Sequence, residues 1–331
     1  MSVLGEERIT IVGAGSLGSV YGALLARAGH DVQLLAREQH ARAVQEAGGL
    51  RLETGGRDEL VRLRADWRPE RIEPAEIVVV LTKTPDTEHA LEGLDHIREG
   101  LRLAISLQNS VEKDDVMRAW CGPDAVVGGV SMVGGTLAEP GYVRHTFNRS
   151  TVVGELPEGT SPRVERFAEL LREAGLEGVV STNVLGAEWA KVIHSVPAMA
   201  LPALTRFTLH QTLLSPELSE LYVRLAREGG AVAAAAGIEL DDGPLDFPLR
   251  RVVTAPDEEA VELVRAEGRR MEAAGMTEIR VSMLQSVERG RRTEVEAVHG
   301  FIVRRAADHG VPVPTQMLVY GLLKAMDRTF S

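Results

Sequence analysis

Thiols are almost missing from this 331-residue chain: Cys121 stands alone, which excludes an intrachain disulfide and suits a reducing compartment. Without a second cysteine, a Cys/His nucleophilic pair has little footing either. No apolar run reaches the roughly 18 residues that a membrane-spanning helix requires. The opening MSVLGEERITIVGAG holds acidic residues and no signal-peptide core ahead of its glycines. The expected location is the cytoplasm, with no membrane partner. Positive charge is also short: 37 Lys and Arg against 48 Asp and Glu leave a net charge of −11. A nucleic-acid binder would show a basic face, so no nucleic acid is expected; a local basic pocket for a phosphorylated cofactor is still allowed. Internal repeats, heptads and low-complexity tails are absent. His194 and His299 belong to no cluster of three or four ligands, so no metal is expected and both are assigned structural hydrogen bonds.

What is present is a soluble composition, 44% hydrophobic and 26% charged, in a chain long enough for two domains. The first half alternates between short β-branched runs (RITIVG, DVQLLA, EIVVVLT, LRLAISL) and helical stretches such as SLGSVYGALLARAGH and TEHALEGLDHIREG. Continuous rather than alternating apolar runs predict strands covered on both faces, hence a parallel βαβ series. AVVGGVSM, YVRHTF and STVVGE add strands at hairpin-like spacing, and Ser161 caps a helix over SPRVERFAELLREAG. After residue 182 strand signals fade, and helices are expected over 183–210, 215–237, 256–275 and 293–309. The segment near 238–256, with its prolines and acidic pair, reads as an exposed connection. The fold class is therefore α/β, a Rossmann-type doubly wound sheet over 1–182 followed by an all-helical domain over 183–331.

GAGSLG, the run Gly13, Ala14, Gly15, Ser16, Leu17 and Gly18, follows a strand and opens a helix. That context turns a weak glycine pattern into a dinucleotide fingerprint, because glycines let the backbone approach a pyrophosphate at a helix N-terminus. Where an NAD enzyme places Asp or Glu at the end of the second strand, this chain has Arg37, which points to the 2′-phosphate of NADP, with Glu38 beside it as the counter-signal. Lys83 and Asn109 end two further strands, the edge where open α/β sheets bind ligands. Thr293 and Glu296 fit a capping box, placing Glu294 in a first helical turn, where an acidic residue complements the helix dipole. In EWAKVIHSVPAMALPAL, Lys191, Ser195 and Met199 fall on one helical face. The ordinary alternative for Lys191 is a surface pair with Glu188, worth about 0.2–0.5 kcal/mol.

Taken together, GAGSLGSVYG, Arg37, LTK, LQN, EWAKVI and above all VSMLQSVERGRRTEVEAVHG resemble the ketopantoate reductase (2-dehydropantoate 2-reductase) family over essentially the whole chain. The resemblance implies an oxidoreductase of pantothenate biosynthesis that reduces a 2-keto acid with NADPH between a Rossmann domain and a helical one. It implies that Lys191 is the catalytic lysine and that Glu294 positions substrate and lysine beside the cofactor. Asn109 and Lys83 would contact the nicotinamide side, Asn109 also the substrate, and Ser282 the substrate carboxylate. Five departures stand out. Ser195 and Met199 occupy places where the family's lysine helix carries asparagines, Ser286 replaces an aspartate, and His299 replaces the asparagine before the helical glycine. QNG has also become QNS. The parts for reduction persist while those that read the substrate differ, so a more apolar carbonyl or imine substrate is the first alternative. A silent NADP-binding sensor is the second, disfavoured because a sensor needs neither Lys191 nor Glu294. A homodimer is the assembly entertained.

Overall fold

The computed structural model describes residues 7–330. They form two compact units, one running to Gln108 and again over Glu112–Leu185, the other comprising Asn109–Val111 and the chain from Gly186 onward.

The first unit holds strands β1 (Arg8–Val12), β2 (Asp31–Leu35), β3 (Leu50–Thr54), β4 (Arg57–Val61), β5 (Arg64–Asp66), β6 (Ile77–Val80), β7 (Leu103–Ser106), β8 (Val126–Glu139), β9 (Tyr142–Glu155) and β10 (Glu177–Val180). Its helices are α1 (Ser16–Arg27), α2 (Glu38–Ala47), α3 (Thr87–Leu91), α4 (Lys113–Cys121) and α5 (Pro162–Glu173). The strands make one sheet in the order β4-β3-β9-β8-β7-β6-β1-β2-β5, with β10 beside β9. Alternate strand residues feed opposite cores. Ile9, Ile11, Val79 and Ile105 pack with Val20 and Leu24 of α1 and Phe167 and Leu171 of α5. Val12, Val78, Val80 and Ala104 pack on the other face with Leu91, Met117 and Trp120. Covering both faces is what the unbroken apolar runs require. Strand order reverses at β1, which lies between β2 and β6 in parallel register with both, and this opens a crevice at the carboxyl ends of these strands.

The second unit is helical: α6 (Val184–Thr205), α7 (Leu209–Leu214), α8 (Pro216–Ala235), α9 (Leu249–Thr254), α10 (Asp257–Ala273), α11 (Ser282–Glu288), α12 (Phe301–Asp308) and α13 (Pro314–Asp327). Local chemistry sets several starts. Thr208 and Gln211 form a reciprocal capping box for α7, and Ser215 accepts the Leu218 amide at 3.3 Å ahead of α8. The Glu228 carboxylate, reaching from α8, accepts the Thr315 and Gln316 amides at 2.9 and 2.8 Å and so caps α13. The glycine pair of α8 permits close packing. A Cβ on Gly229 would sit 3.1 Å from Ile193 of α6, and one on Gly230 would sit 2.4 Å from Val253 of α9.

Several expectations need correction. Three short strands, β3 to β5, occupy 50–66, where none was expected, and TEHALEGLDHIREG shortens to α3 plus a 3₁₀ turn at Asp95–Ile97. The segment near 238–256 is not an exposed connection: Leu245, Phe247, Leu249 and Val252 are buried, Asp241 and Asp242 are half-buried, and Glu239 and Asp246 stay exposed. Asp242 accepts the Arg250 amide. Ser161 stands at the N-cap of α5 but its hydroxyl donates to Glu155 instead of accepting from the helix.

Candidate active site

The glycine loop leaves β1 with Gly13 at φ +87°, a conformation that favours glycine, and a Cβ there would lie 2.6 Å from the Thr82 amide nitrogen. Both the Gly13 and Ala14 amides donate to the Leu35 carbonyl at 3.0 Å, tying the loop to β2. Gly18 lets α1 close on the loop, since a Cβ would sit 2.5 Å from the Gly13 carbonyl oxygen. Gly15 is the exposed member, and a Cβ there would meet nothing within 4 Å. The backbone is therefore open to a ligand at the N-terminus of α1, where the amides of Ser16, Leu17 and Gly18 are the donors every helix leaves unpaired. These features fit a dinucleotide pyrophosphate. Ser16 is committed elsewhere, its hydroxyl accepting the Leu137 amide at 3.0 Å, and Leu17 packs on the core. His40 was not foreseen. Its Nδ1 accepts the Gly141 amide at 2.9 Å, so Nε2 carries the proton toward Ser19 Oγ at 3.0 Å, and Ser19 donates to the Ala14 carbonyl. Burial lowers the His40 pKa and keeps this prop neutral.

Arg37 begins α2 at the end of β2 with its side chain 92% exposed, and its guanidinium stands 3.6 Å from Asp86. Glu38, the counter-signal in the sequence, is taken by Arg42 at 2.7 Å across one helical turn. Lys83 is exposed at the end of β6, between Thr82 and a 3₁₀ turn over Thr84–Asp86. Glycine loop, Arg37 and Lys83 thus line one edge of the sheet. Asn109 is half-buried and belongs to the helical unit. Its neighbour Gln108, which sequence reasoning passed over, is buried and bonded to Thr82, Thr87 and Ser106.

On α6, Lys191 and Met199 are half-buried and Ser195 is buried, all on one helical face. Glu188 is only 3% exposed, so the alternative of a surface pair with Lys191 fails. Ser282, at the start of α11, donates to the Met199 sulfur at 3.9 Å, joining two candidate positions 83 residues apart. His194 Nδ1 lies 2.7 Å from the Tyr222 hydroxyl, which fulfils its structural assignment, and Phe247 packs at 4.8 Å between centroids. Burial first, and then the Lys191 charge, push His194 down to about 4. The ring beside the lysine is neutral.

Around Glu294 the expected capping box does not form. Thr293 donates both its amide and its hydroxyl to Asp327, while Glu296 binds Tyr320 at 2.6 Å and Lys324 at 2.9 Å. Glu294 itself precedes the helix, its carbonyl accepting the amides of Ala297 and Val298. A π-helical turn over Glu296–Gly300 follows, a geometry frequent at functional sites. It turns His299 fully inward, where neither ring nitrogen has a partner, so the assigned structural hydrogen bond is absent. Burial drives His299 down to about 3. Among the described residues no group of three or more metal-binding side chains occurs.

A family model described as ketopantoate reductase PanE/ApbA matches residues 9–158, and its C-terminal counterpart matches residues 183–327. The chain belongs to the ketopantoate reductase family. The 2-dehydropantoate 2-reductase of Archaeoglobus fulgidus is 31% identical over 322 residues, 97% of this chain and 98% of that protein. A solved PanE/ApbA family ketopantoate reductase from Ralstonia eutropha is 32% identical with a TM-score of 0.79, covering 97% of this chain and 98% of that one. A D-mandelate dehydrogenase solved with NADH and anilino(oxo)acetate superposes with a TM-score of 0.84 over 97% of this chain and 98% of that one; at 21% identity that likeness is one of fold. Within the family frame, the Rossmann sheet and the helical unit are the two expected architectures.

Proposed function

We propose that this family member reduces a 2-keto acid to the 2-hydroxy acid with NADPH, ketopantoate to pantoate being the family's eponymous reaction. One observation carries most of the weight: Ser282 meets Met199 on the helix face that also bears Lys191, so an element far away in sequence reaches the face of α6 on which the lysine stands. The first-turn amides of α1 would hold the pyrophosphate, Arg37 the 2′-phosphate, and Lys83 and Asn109 the nicotinamide side. When bound, the reduced nicotinamide supplies hydride to the carbonyl carbon. Lys191 holds its charge at the carbonyl oxygen, stabilises the developing alkoxide and then donates the proton. Ser282 takes the substrate carboxylate, and Glu294 orients lysine and substrate. Following NADPH absorbance against a panel of 2-keto acids tests the reaction directly. No oxidation with any of them would overturn it.

Arg37→Ala tests the cofactor. The loss of one charged hydrogen bond, about 1.5–3 kcal/mol, weakens NADPH binding roughly ten- to hundredfold and leaves NADH little changed. The exposure of Arg37 and the engagement of Glu38 by Arg42 support this choice. Equal losses for both nucleotides would remove the 2′-phosphate from the site.

A second reading, favoured by Ser195 and Met199, is a substrate with a more apolar side chain than ketopantoate. Ketopantoate carries a terminal hydroxyl, and methionine offers it no strong donor. A hydroxyl buried without a partner costs about 1–3 kcal/mol. In Ser195→Asn/Met199→Asn, kcat/KM for ketopantoate should rise relative to 2-keto acids with longer apolar chains. If the wild type already reduces ketopantoate efficiently and the asparagines do not help, another part of the site reads the hydroxyl.

A further inference from the structure

We propose that Gln108 is a positioning residue for the nucleotide: one buried amide fixes the strand end that carries Lys83 and supports the glycine loop. The inference rests on the nucleotide site proposed above. Gln108 follows β7, and its Oε1 accepts the Ser106 hydroxyl at 2.9 Å, which sets the orientation of the amide. Its Nε2 then faces three acceptors: the Thr82 carbonyl at 2.9 Å, Thr82 Oγ1 at 2.9 Å and Thr87 Oγ1 at 2.6 Å. Because the amide donates to Thr87, that hydroxyl spends its own proton on the Thr84 carbonyl at 2.9 Å. Thr82 and Thr87 hydroxyls are themselves 3.2 Å apart. The bonds run in one direction from β7 to the turn after β6, and every buried polar atom on the way is used except Thr84 Oγ1.

The consequence lies in what this turn carries. Lys83 sits between Thr82 and Thr84, the two residues the network grips. Thr82 is the residue on which Gly13 rests, within 2.6 Å of where a Cβ would stand. Asp86, in the same turn, is the partner of Arg37. A single side chain therefore governs the position of three elements at the crevice without touching a ligand itself. A buried network in which every polar atom but Thr84 Oγ1 is satisfied gives rigidity, and rigidity here lowers the ordering cost of binding.

A purely structural role would show in stability alone, so the test reads stability and binding separately. Gln108→Met keeps the side-chain shape and removes the donors; Thr87→Val removes the hydroxyl at the far end; Thr87→Ser restores it. NADPH is titrated against folded protein, KM for NADPH and kcat are measured with a 2-keto acid that the wild type reduces, and thermal midpoints are recorded. Gln108→Met and Thr87→Val should each raise the NADPH Kd and KM about tenfold with kcat within about twofold, while Thr87→Ser stays near wild type. Lower melting temperatures with an unchanged NADPH Kd would make the network a fold element and overturn the proposal. Should Gln108→Met fail to fold, the Thr87→Val and Thr87→Ser pair decides by the same measure. A wild type that binds neither NADPH nor NADH would instead overturn the nucleotide site itself, a different result from variants that bind as well as wild type.

Discussion

Lys191→Ala should lower turnover by about 10²–10⁴-fold, the range expected when a general acid or alkoxide clamp is removed, while NADPH affinity changes far less. The setting of the side chain argues for this size of effect. Lys191 is half-buried on α6, and Glu188, one turn before it, is buried, so the lysine does not stand on an open, fully solvated surface. The lysine charge also bears on its neighbour, helping to hold His194 down at about 4. The ring next to the lysine therefore brings no competing positive charge at neutral pH. A cation held in such a place acts on a developing oxyanion more strongly than it would in water. Lys191→Arg should recover little, because a planar guanidinium differs in shape and does not give up its proton. Turnover per folded molecule is the measurement, with circular dichroism showing that the helical unit is intact. Near-normal turnover in the alanine variant would return Lys191 to a packing role.

How much of this was legible in the sequence depends on where each signal resides. Strands β1, β2, β6 and β7 were legible because burial on both faces writes an unbroken β-branched run. Strand β4 was not, since four of its five residues are exposed and leave no apolar pattern. The 238–256 segment misled because its prolines and acids are local signals, whereas burial of Phe247 against His194 and Tyr222 is a tertiary one. Thr293 and Glu296 have capping-box spacing, yet Asp327, 34 residues on, captures Thr293 first. His299 falls at i+4 from Val295 and three residues before Ile302, so the helical period already places it beside the buried stripe, but the π-helical turn that carries it left no sign in the spacing. For the site, Lys191, Ser195 and Met199 were readable as one face because they share one helix. The contact of Ser282 with Met199 and the grip of Gln108 on Thr82 and Thr87 join elements that only the fold brings together. Gln108 did leave a trace: a polar residue directly after a fully buried strand has to find partners somewhere.

Between pH 7 and pH 5 the protein should lose about 4 kcal/mol of stability through two histidines, His194 and His299. Both are neutral in the folded chain, with pKa values of about 4 and about 3, while an unfolded histidine titrates near 6.5. The sign follows from proton counting. Above pH 6.5 neither state binds a proton at these rings, so stability does not vary with pH on their account. Below it the unfolded chain takes up protons that the folded chain refuses, and stability falls by about 1.4 kcal/mol per pH unit for each ring until the folded pKa is reached. At pH 5 that amounts to about 2 kcal/mol per histidine. His40 and His145 are shifted downward too, by burial, and act in the same direction. Paired carboxylates such as Asp31, Asp66 and Glu155 also have lowered values, but their stabilisation is lost only as pH falls through the ordinary carboxylate range and below. The window from pH 7 to 5 therefore isolates the histidines. Urea midpoints measured across it should decline steadily, and His299→Leu should reduce the slope by about one proton's worth. That variant also removes two buried nitrogens that lack partners, so at pH 5 it should be more stable than the wild type. A flat midpoint from pH 7 to 5, or an unchanged slope in His299→Leu, would mean that the His299 ring finds a protonated state inside the fold and that its burial is not dry.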